Sequence, residues 1–310
     1  MAFSAADVKN LREMTGCGMM DCKKALVESD GDMDKAVEWL REKGLAASQK
    51  KAGRIAADGM AYADVIDGVG VVVEVNSETD FVAKNEKFID FTKGVAATVV
   101  KQNPADLEAL MACKYCGTDL TVEQQQQEMV LTIGENIKVR RFARYEGGMS
   151  VSYVHMNGRI GVLVNMEVSA GLESNPAVIE LGKDAAMQIA ALNAPYLDKS
   201  SVPADVLEHE KSIMMIQINE NPKEASKPEA IKEKMILGKV SKYYAEVCLM
   251  QQPFVKDDSV SVEKHAAAVA KEVGGTIVFK GYTRFEKGEG IEKKQENFAD
   301  EIASMVNGGK

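Results

Sequence analysis

One order of elements occurs twice in this chain, and that duplication limits the fold more than any other feature. Residues 62–66 and 69–75 are two β-rich runs across Asp67-Gly68, which is a hairpin signal. After a turn over 76–80 a helix follows, with Phe81, Val82, Phe88, Ile89, Phe91 and Val95 among its apolar positions. A second helix is expected over 122–132 and a further strand over 137–143. The same order then returns. Runs at 150–156 and 159–168 flank Asn157-Gly158, and Gly161-Val162-Leu163-Val164 matches Gly70-Val71-Val72-Val73 in kind. A helix over 177–192, a helix over 262–273 and a strand over 276–282 complete the second copy. Hairpins followed by helices and a returning strand make antiparallel sheets with helices on one face, so the fold class is α+β with a duplicated core.

The second copy holds an insertion between its two helices. Residues 205–219 and 229–244 have helical composition and are joined by a segment carrying Pro222 and Pro228, which cannot sit in a helix interior. They form an antiparallel helical hairpin. Ile213, Met214, Ile216, Ile218, Ile231, Met235 and Ile236 are available to seal it. Either all of them are used inside the hairpin, or some remain for a partner.

Ahead of the duplication, residues 4–45 read as three helices. Ser4 and Asp7 have capping-box spacing, and Val8, Leu11 and Thr15 share one face. Gly16 and Gly18 interrupt the chain before a second helix over 19–29 with Cys22, Ala25 and Leu26 inward. Asp30-Gly31-Asp32 turns into a third, striped by Met33, Ala36, Val37 and Leu40 and closed by Gly44. Lys50, Lys51 and Arg54 have no acid near them in sequence and are expected to be a short basic, solvated hinge.

With 310 residues, the chain is past the size at which one core keeps growing, in keeping with several units. Lysine plus arginine number 38 against 47 acids, a net charge of −9, which argues against a protein that wraps nucleic acid. A local basic patch is left open. No run of 18 apolar residues occurs, so no membrane helix is expected. The first residues lack a basic segment followed by an apolar one, so no secretory signal is expected and the location is expected to be cytoplasmic.

Catalytic constellations are hard to find. There is no phosphate-loop lysine motif, no Gly-x-Ser-x-Gly and no His-x-x-x-His; His155, His209 and His265 are scattered. Cys113-Lys-Tyr-Cys116 stands alone without the further ligands of a zinc site, so its thiols are read as incidental, with a redox or zinc role as the rival. Binding is favoured over catalysis, and no cofactor or metal is expected. The segment that stands out is Glu78-Thr79-Asp80-Phe81-Val82-Ala83-Lys84-Asn85, at the passage from strand to helix. Two readings of it stand. Thr79 or Asp80 caps a helix and Phe81 packs beneath it, or an acid and an aromatic protrude together from a rigid corner.

Six ordered blocks carry a resemblance. Met14-Thr15-Gly16-Cys17-Gly18-Met19-Met20-Asp21-Cys22-Lys23-Lys24-Ala25-Leu26 and Glu78-Thr79-Asp80-Phe81-Val82-Ala83-Lys84 resemble the two signatures of the elongation factor Ts family. Ile133-Gly134-Glu135-Asn136-Ile137, the run from Gly158 to Val164, Gln252-Pro253-Phe254-Val255 and the run from Arg284 to Glu292 are similar to further blocks in the same order. The region 101–128 matches none of them. The resemblance implies an N-terminal ubiquitin-associated-like domain with its linker over 1–54 and core subdomain N over 55–146. Core subdomain C would take 147–200 and 246–285, a coiled-coil arm 201–245, and a C-terminal module with a helix 286–310. It implies a guanine nucleotide exchange factor for elongation factor Tu. Thr79, Asp80, Phe81 and Val82 match the segment that intrudes beside the GTPase's magnesium site, and Arg12, Met19, Met20 and His155 match other contacts. A 2:2 assembly through subdomain C or the arm stays open. The rival is a non-catalytic scaffold that binds a different protein through its three-helix domain.

Overall fold

The computed structural model describes residues 3–292. Three helices come first: α1 (Ala5–Thr15), α2 (Met19–Glu28) and α3 (Met33–Lys51). Each boundary has a local chemical cause. The Ser4 hydroxyl accepts from Asp7 N–H while the Asp7 carboxylate accepts from Ser4 N–H at 2.7 Å, so two orphan donors of α1 are satisfied reciprocally. Gly16, at φ 69°, ends that helix in the left-handed region that an L side chain rarely enters. Asp32 caps α3 by accepting from the N–H groups of Asp34 and Lys35. Val8, Leu11, Cys22, Ala25, Leu26, Ala36 and Leu40 form the small core, and Leu131, from far along the chain, packs against it.

Two expectations fail here. Gly44 does not close α3; the helix continues to Lys51, and Gly44 lies against the backbone carbonyl of Gln127, where an added Cβ would come to 3.3 Å. Nor is the 50–54 stretch a solvated hinge. Lys50 and Lys51 belong to the last turn of α3, and Arg54 pairs with Glu78 at 3.4 Å. The acids missing from the local sequence are supplied by tertiary contact.

The first sheet follows. Strands β1 (Asp58–Ile66) and β2 (Val69–Ser77) pair antiparallel across Asp67 and Gly68, both at positive φ (53° and 80°), the backbone that a two-residue hairpin requires. A one-turn helix α4 (Asp80–Ala83) and then α5 (Glu86–Gln102), α6 (Leu107–Ala112) and α7 (Val122–Ile133) cross one face before β3 (Lys138–Tyr145) returns beside β2. The single helix expected from Phe81 onward is therefore two. Asn85, extended at φ −74° and ψ 128°, accepts from Lys87 N–H and starts α5 afresh. The second sheet has the same plan: β4 (Met149–His155) pairs with β5 (Ile160–Val168), and α8 (Pro176–Leu192) covers its outer face. The arm and a small extra hairpin intervene before a last helix and strand complete this second copy.

That intervening part is α9 (Ala204–Glu220), the short α10 (Pro222–Ala225), α11 (Glu229–Val247) and strands β6 (Pro253–Phe254) and β7 (Asp257–Ser261). Met214, Ile218 and Val240 are buried in the arm, whereas Ile216, Ile231 and Leu237 face solvent. Helix α12 (Val262–Glu272) and strand β8 (Ile277–Glu286), the latter paired with β5, complete the order. The sheets run β1-β2-β3 and β4-β5-β8. The C-terminal helix expected within 286–310 lies beyond Glu292 and outside the described residues.

The two sheets face each other, and their helices lie outside. Ala61, Ala63, Val72, Leu163 and Phe285 meet between them. An added Cβ on Gly161 would come to 3.0 Å from the Ala61 carbonyl oxygen, and one on Gly70 to 2.6 Å from the Ser150 hydroxyl. The central strands β2 and β5 are consequently covered on both faces, which explains why they read as nearly unbroken apolar runs.

One charge sits within this layer. The fully buried Glu74 carboxylate accepts from Arg140 Nη1 at 2.8 Å, Arg141 Nε at 2.5 Å, Asn76 Nδ2 at 3.0 Å and the Gly288 N–H at 2.8 Å. Burial alone would raise its pKa, but the Gly288 N–H, Arg140, Asn76 and Arg141 together hold it below the usual glutamate value. A carboxylate whose folded pKa is depressed contributes stability above its unfolded pKa of about 4.3 and loses it as pH falls through the folded value. Thermal melts from neutral pH down to pH ~3 should therefore show an acid limb that is shallower in Glu74→Gln, which should also melt lower at neutral pH. Gly161→Val should force the sheets apart and cost about 1–3 kcal/mol in urea unfolding.

Candidate functional site

The strand-to-helix corner after β2 is held from three sides. Beneath it, Val82 and Ala83 are buried, Val82 in the core formed by the first sheet and its helices. At its start, Thr79 is the N-cap of α4, its hydroxyl accepting from Val82 N–H at 3.4 Å. Above, the carboxylate of Glu135, just past α7, accepts from Glu78 N–H (3.1 Å), Thr79 N–H (3.0 Å) and the Thr79 hydroxyl (2.7 Å). Glu78 answers by accepting from Asn136 N–H at 2.6 Å, and Asn136 Nδ2 donates to the Arg54 carbonyl at 2.8 Å.

What this corner presents is Phe81. Phe81 is 80% exposed, so its packing beneath a helix does not occur. Asp80 stands beside it, accepting from Lys84 Nζ at 2.7 Å, and that lysine also lies 5.9 Å from the ring centroid. The bond from Lys84 lowers the Asp80 pKa, so the carboxylate is ionised at neutral pH. An acid and an aromatic thus stand together on a short, anchored turn, while Val82, fourth in the segment, faces inward. Lys51 lies near the same acids; burial lowers its pKa first, against the opposing charges of Glu78 and Glu135.

The other candidate residues flank this corner. On one side Lys87, at the start of α5, donates to the Gly16 carbonyl at 3.4 Å, which brings up the α1–α2 loop. Arg12 is exposed there, as are Met19 (44%) and Met20 (71%), so the two methionines are not core packing. On the other side the β4–β5 turn approaches. A groove of about 430 Å³ between them is lined by Met60, Tyr62, Lys84, Ile89, Val154 and Asn157. His155, half-buried at the end of β4, shares a hydrogen bond of 2.9 Å between its Nδ1 and the Tyr153 hydroxyl. The adjoining Met156 is exposed.

Sequence reasoning assigned no part to Glu135, although it lies in the block Ile133-Gly134-Glu135-Asn136-Ile137. A lone acid after a helix-ending glycine gives no local signal; only the fold brings it to Thr79. Elsewhere, Cys113 and Cys116 are half-buried free thiols, Cys116 Sγ accepting from Lys101 Nζ at 3.3 Å. Among the described residues no group of three or more His, Cys, Asp or Glu side chains is placed to hold a metal ion. No helix among them is long and apolar enough to cross a membrane.

Known proteins match the chain along nearly its whole length. The family model described as "Elongation factor TS" matches residues 78–289. The elongation factor Ts of Syntrophotalea carbinolica is 48% identical over 309 residues, covering 99% of this chain and 100% of its own. That of Clostridium perfringens is 49% identical over 313 residues, again 99% of this chain and 100% of its own. That of Magnetococcus marinus is 45% identical over 310 residues, with the same coverage of both chains. A fold of paired sheets bearing an exposed acid–aromatic corner is here that of a translation elongation factor. The chain belongs to the elongation factor Ts family.

The different burial of neighbours in the corner can be measured. Phe81→Ala should change unfolding stability by less than about 0.5 kcal/mol, as for an exposed substitution. Val82→Ala should cost roughly 1–2.5 kcal/mol by loss of buried methyl groups. Urea denaturation of both variants checks the contrast.

Proposed function

We propose that this protein is a guanine nucleotide exchange factor for elongation factor Tu, acting in the cytoplasm as a binding protein and not as an enzyme. The observation that carries the reading is the exposed Phe81 ring beside an ionised Asp80 on a corner tied down by Val82, Thr79 and Glu135. A large aromatic held in water on a rigid support is unfavourable for the free protein and suited to a partner's apolar pocket.

Exchange is a linkage problem. A factor that binds the nucleotide-free GTPase more tightly than the GDP-loaded one weakens GDP binding by the same ratio. Phe81 enters an apolar pocket of the GTPase, and Asp80 is set against the groups that hold Mg²⁺ and the β-phosphate. A cation displaced from a diphosphate leaves that charge unneutralised, and GDP departs. Thr79 and Val82 fix the corner. Arg12, Met19 and Met20 on one flank and His155 on the other widen the contact, so the face is larger than the wedge. The net charge of −9 favours action on the GTPase over binding to RNA.

Burying one phenylalanine side chain is worth about 1.5–3 kcal/mol, so losing the ring should lower stimulated exchange roughly 10- to 100-fold. Release of labelled GDP from purified elongation factor Tu, followed with Asp80→Ala/Phe81→Ala protein, should show at least that loss. Undiminished stimulation by a folded double variant would reject this tip. If no stimulation occurs even with the parent protein, the scaffold reading through α1–α3 takes its place.

A further inference from the structure

We propose that Glu135 is the positioning residue of the exchange tip, setting the direction of Phe81 without itself touching the GTPase. The inference rests on the reading of Asp80 and Phe81 as the exchange wedge. Helix α4 is four residues long, a single turn that cannot hold its own shape. Val82 and Ala83 fix its underside, but apolar packing is non-directional and leaves its tilt to polar contacts.

Three of those contacts converge on one carboxylate, beside a bond from the Ser77 hydroxyl to the Thr79 carbonyl at 2.9 Å. Glu135 Oε2 takes both backbone N–H groups at the mouth of the turn, and Oε1 takes the Thr79 hydroxyl hydrogen. A hydroxyl has one hydrogen, so donating it to Glu135 turns its lone pairs toward the Val82 N–H that it caps. The bond to Glu135 therefore fixes the cap, and the cap fixes the turn that bears Phe81. The grip is reciprocal, since Glu78 takes the Asn136 N–H in return. Hydrogen bonds to an ionised acceptor are the stronger kind. A wedge transmits its binding energy to a partner's site only if it does not yield first, which is the value of preorganisation.

Two conservative variants separate reach from charge. Glu135→Asp keeps the charge but withdraws it by one methylene, so the clamp opens. Glu135→Gln loses the charge but keeps the reach: its carbonyl oxygen can take both N–H groups, and its amide donates to one lone pair of the Thr79 hydroxyl, which leaves the other for the Val82 N–H that it caps. Labelled GDP release from elongation factor Tu should be measured against concentration of the full-length factor, beside amide hydrogen exchange over residues 78–83. With Glu135→Asp the maximal stimulated rate should fall at least about tenfold, with the half-saturating concentration shifted less than about threefold because the flanking contacts remain. Its 78–83 amides should exchange faster. Glu135→Gln should stay within about threefold of the parent in both constants.

A Glu135→Asp protein that keeps the parent's maximal rate while its 78–83 amides are deprotected would overturn the proposal. So would a Glu135→Gln protein as slow as Glu135→Asp with those amides still protected, because charge and not position would then matter. Phe81→Ala in the same assay tells the two failures apart. If it stimulates like the parent, the wedge reading falls and the proposal with it. If it is impaired while Glu135→Asp is not, only the positioning role falls.

Discussion

The close face-to-face contact of the two sheets is the constraint on which the rest of the molecule depends. Gly161 lies against the Ala61 carbonyl and Gly70 against Ser150, with Ala63, Val72 and Leu163 between. Larger residues at the glycines would hold the sheets apart. Because each sheet spends one face on the other, its helices can lie only outside. The loops joining strands to helices are thereby gathered along the edges of the pair. The corner after β2 and the turn between β4 and β5 border one groove for that reason. The duplicated order of elements thus has a physical purpose: each copy supplies the apolar face that the other must cover.

A charge within such a layer is costly unless fully paired. Glu74 meets that condition with two arginines, an amide and a backbone N–H. The last of these, from Gly288, fastens the segment after β8 onto the first sheet. Arg140 and Arg141 reach onward to the Glu289 carbonyl and carboxylate, and Lys287 pairs with Asp58. One buried carboxylate therefore joins the end of the second copy to the middle of the first. A similar economy operates at the surface, where Glu78 and Glu135 serve as the acids of a basic segment and also as the clamp on a corner.

Much of the local structure was legible in the residues. Asp67-Gly68 marked a hairpin because few other residues accept positive φ, and Ser4 with Asp7 marked a helix start. The apolar runs Gly70–Val73 and Gly161–Val164 marked strands covered on both sides. Boundaries set by contact were not legible. Nothing near Gly44 says that α3 should pass it, because the cause is α7, more than 70 residues on. Asn85 looked like the interior of a helix because its capping role depends on a backbone break that periodicity does not report. For the corner itself, the two readings of Phe81 had identical local sequence, and burial alone separates them.

By itself, then, the sequence determined the α+β class, the duplication, the inserted arm, and through its ordered motifs the family. Those properties follow from interactions between residues a few positions apart, which short-range patterns record. The tertiary structure decided that Phe81 stands in water while Val82 does not, that Glu135 meets Thr79, and that Lys51 and Arg54 find their acids. Each of these depends on contacts with residues tens of positions away, where spacing along the chain carries no information about distance. The family signature indicated where the site lies; the fold alone shows what holds it in shape.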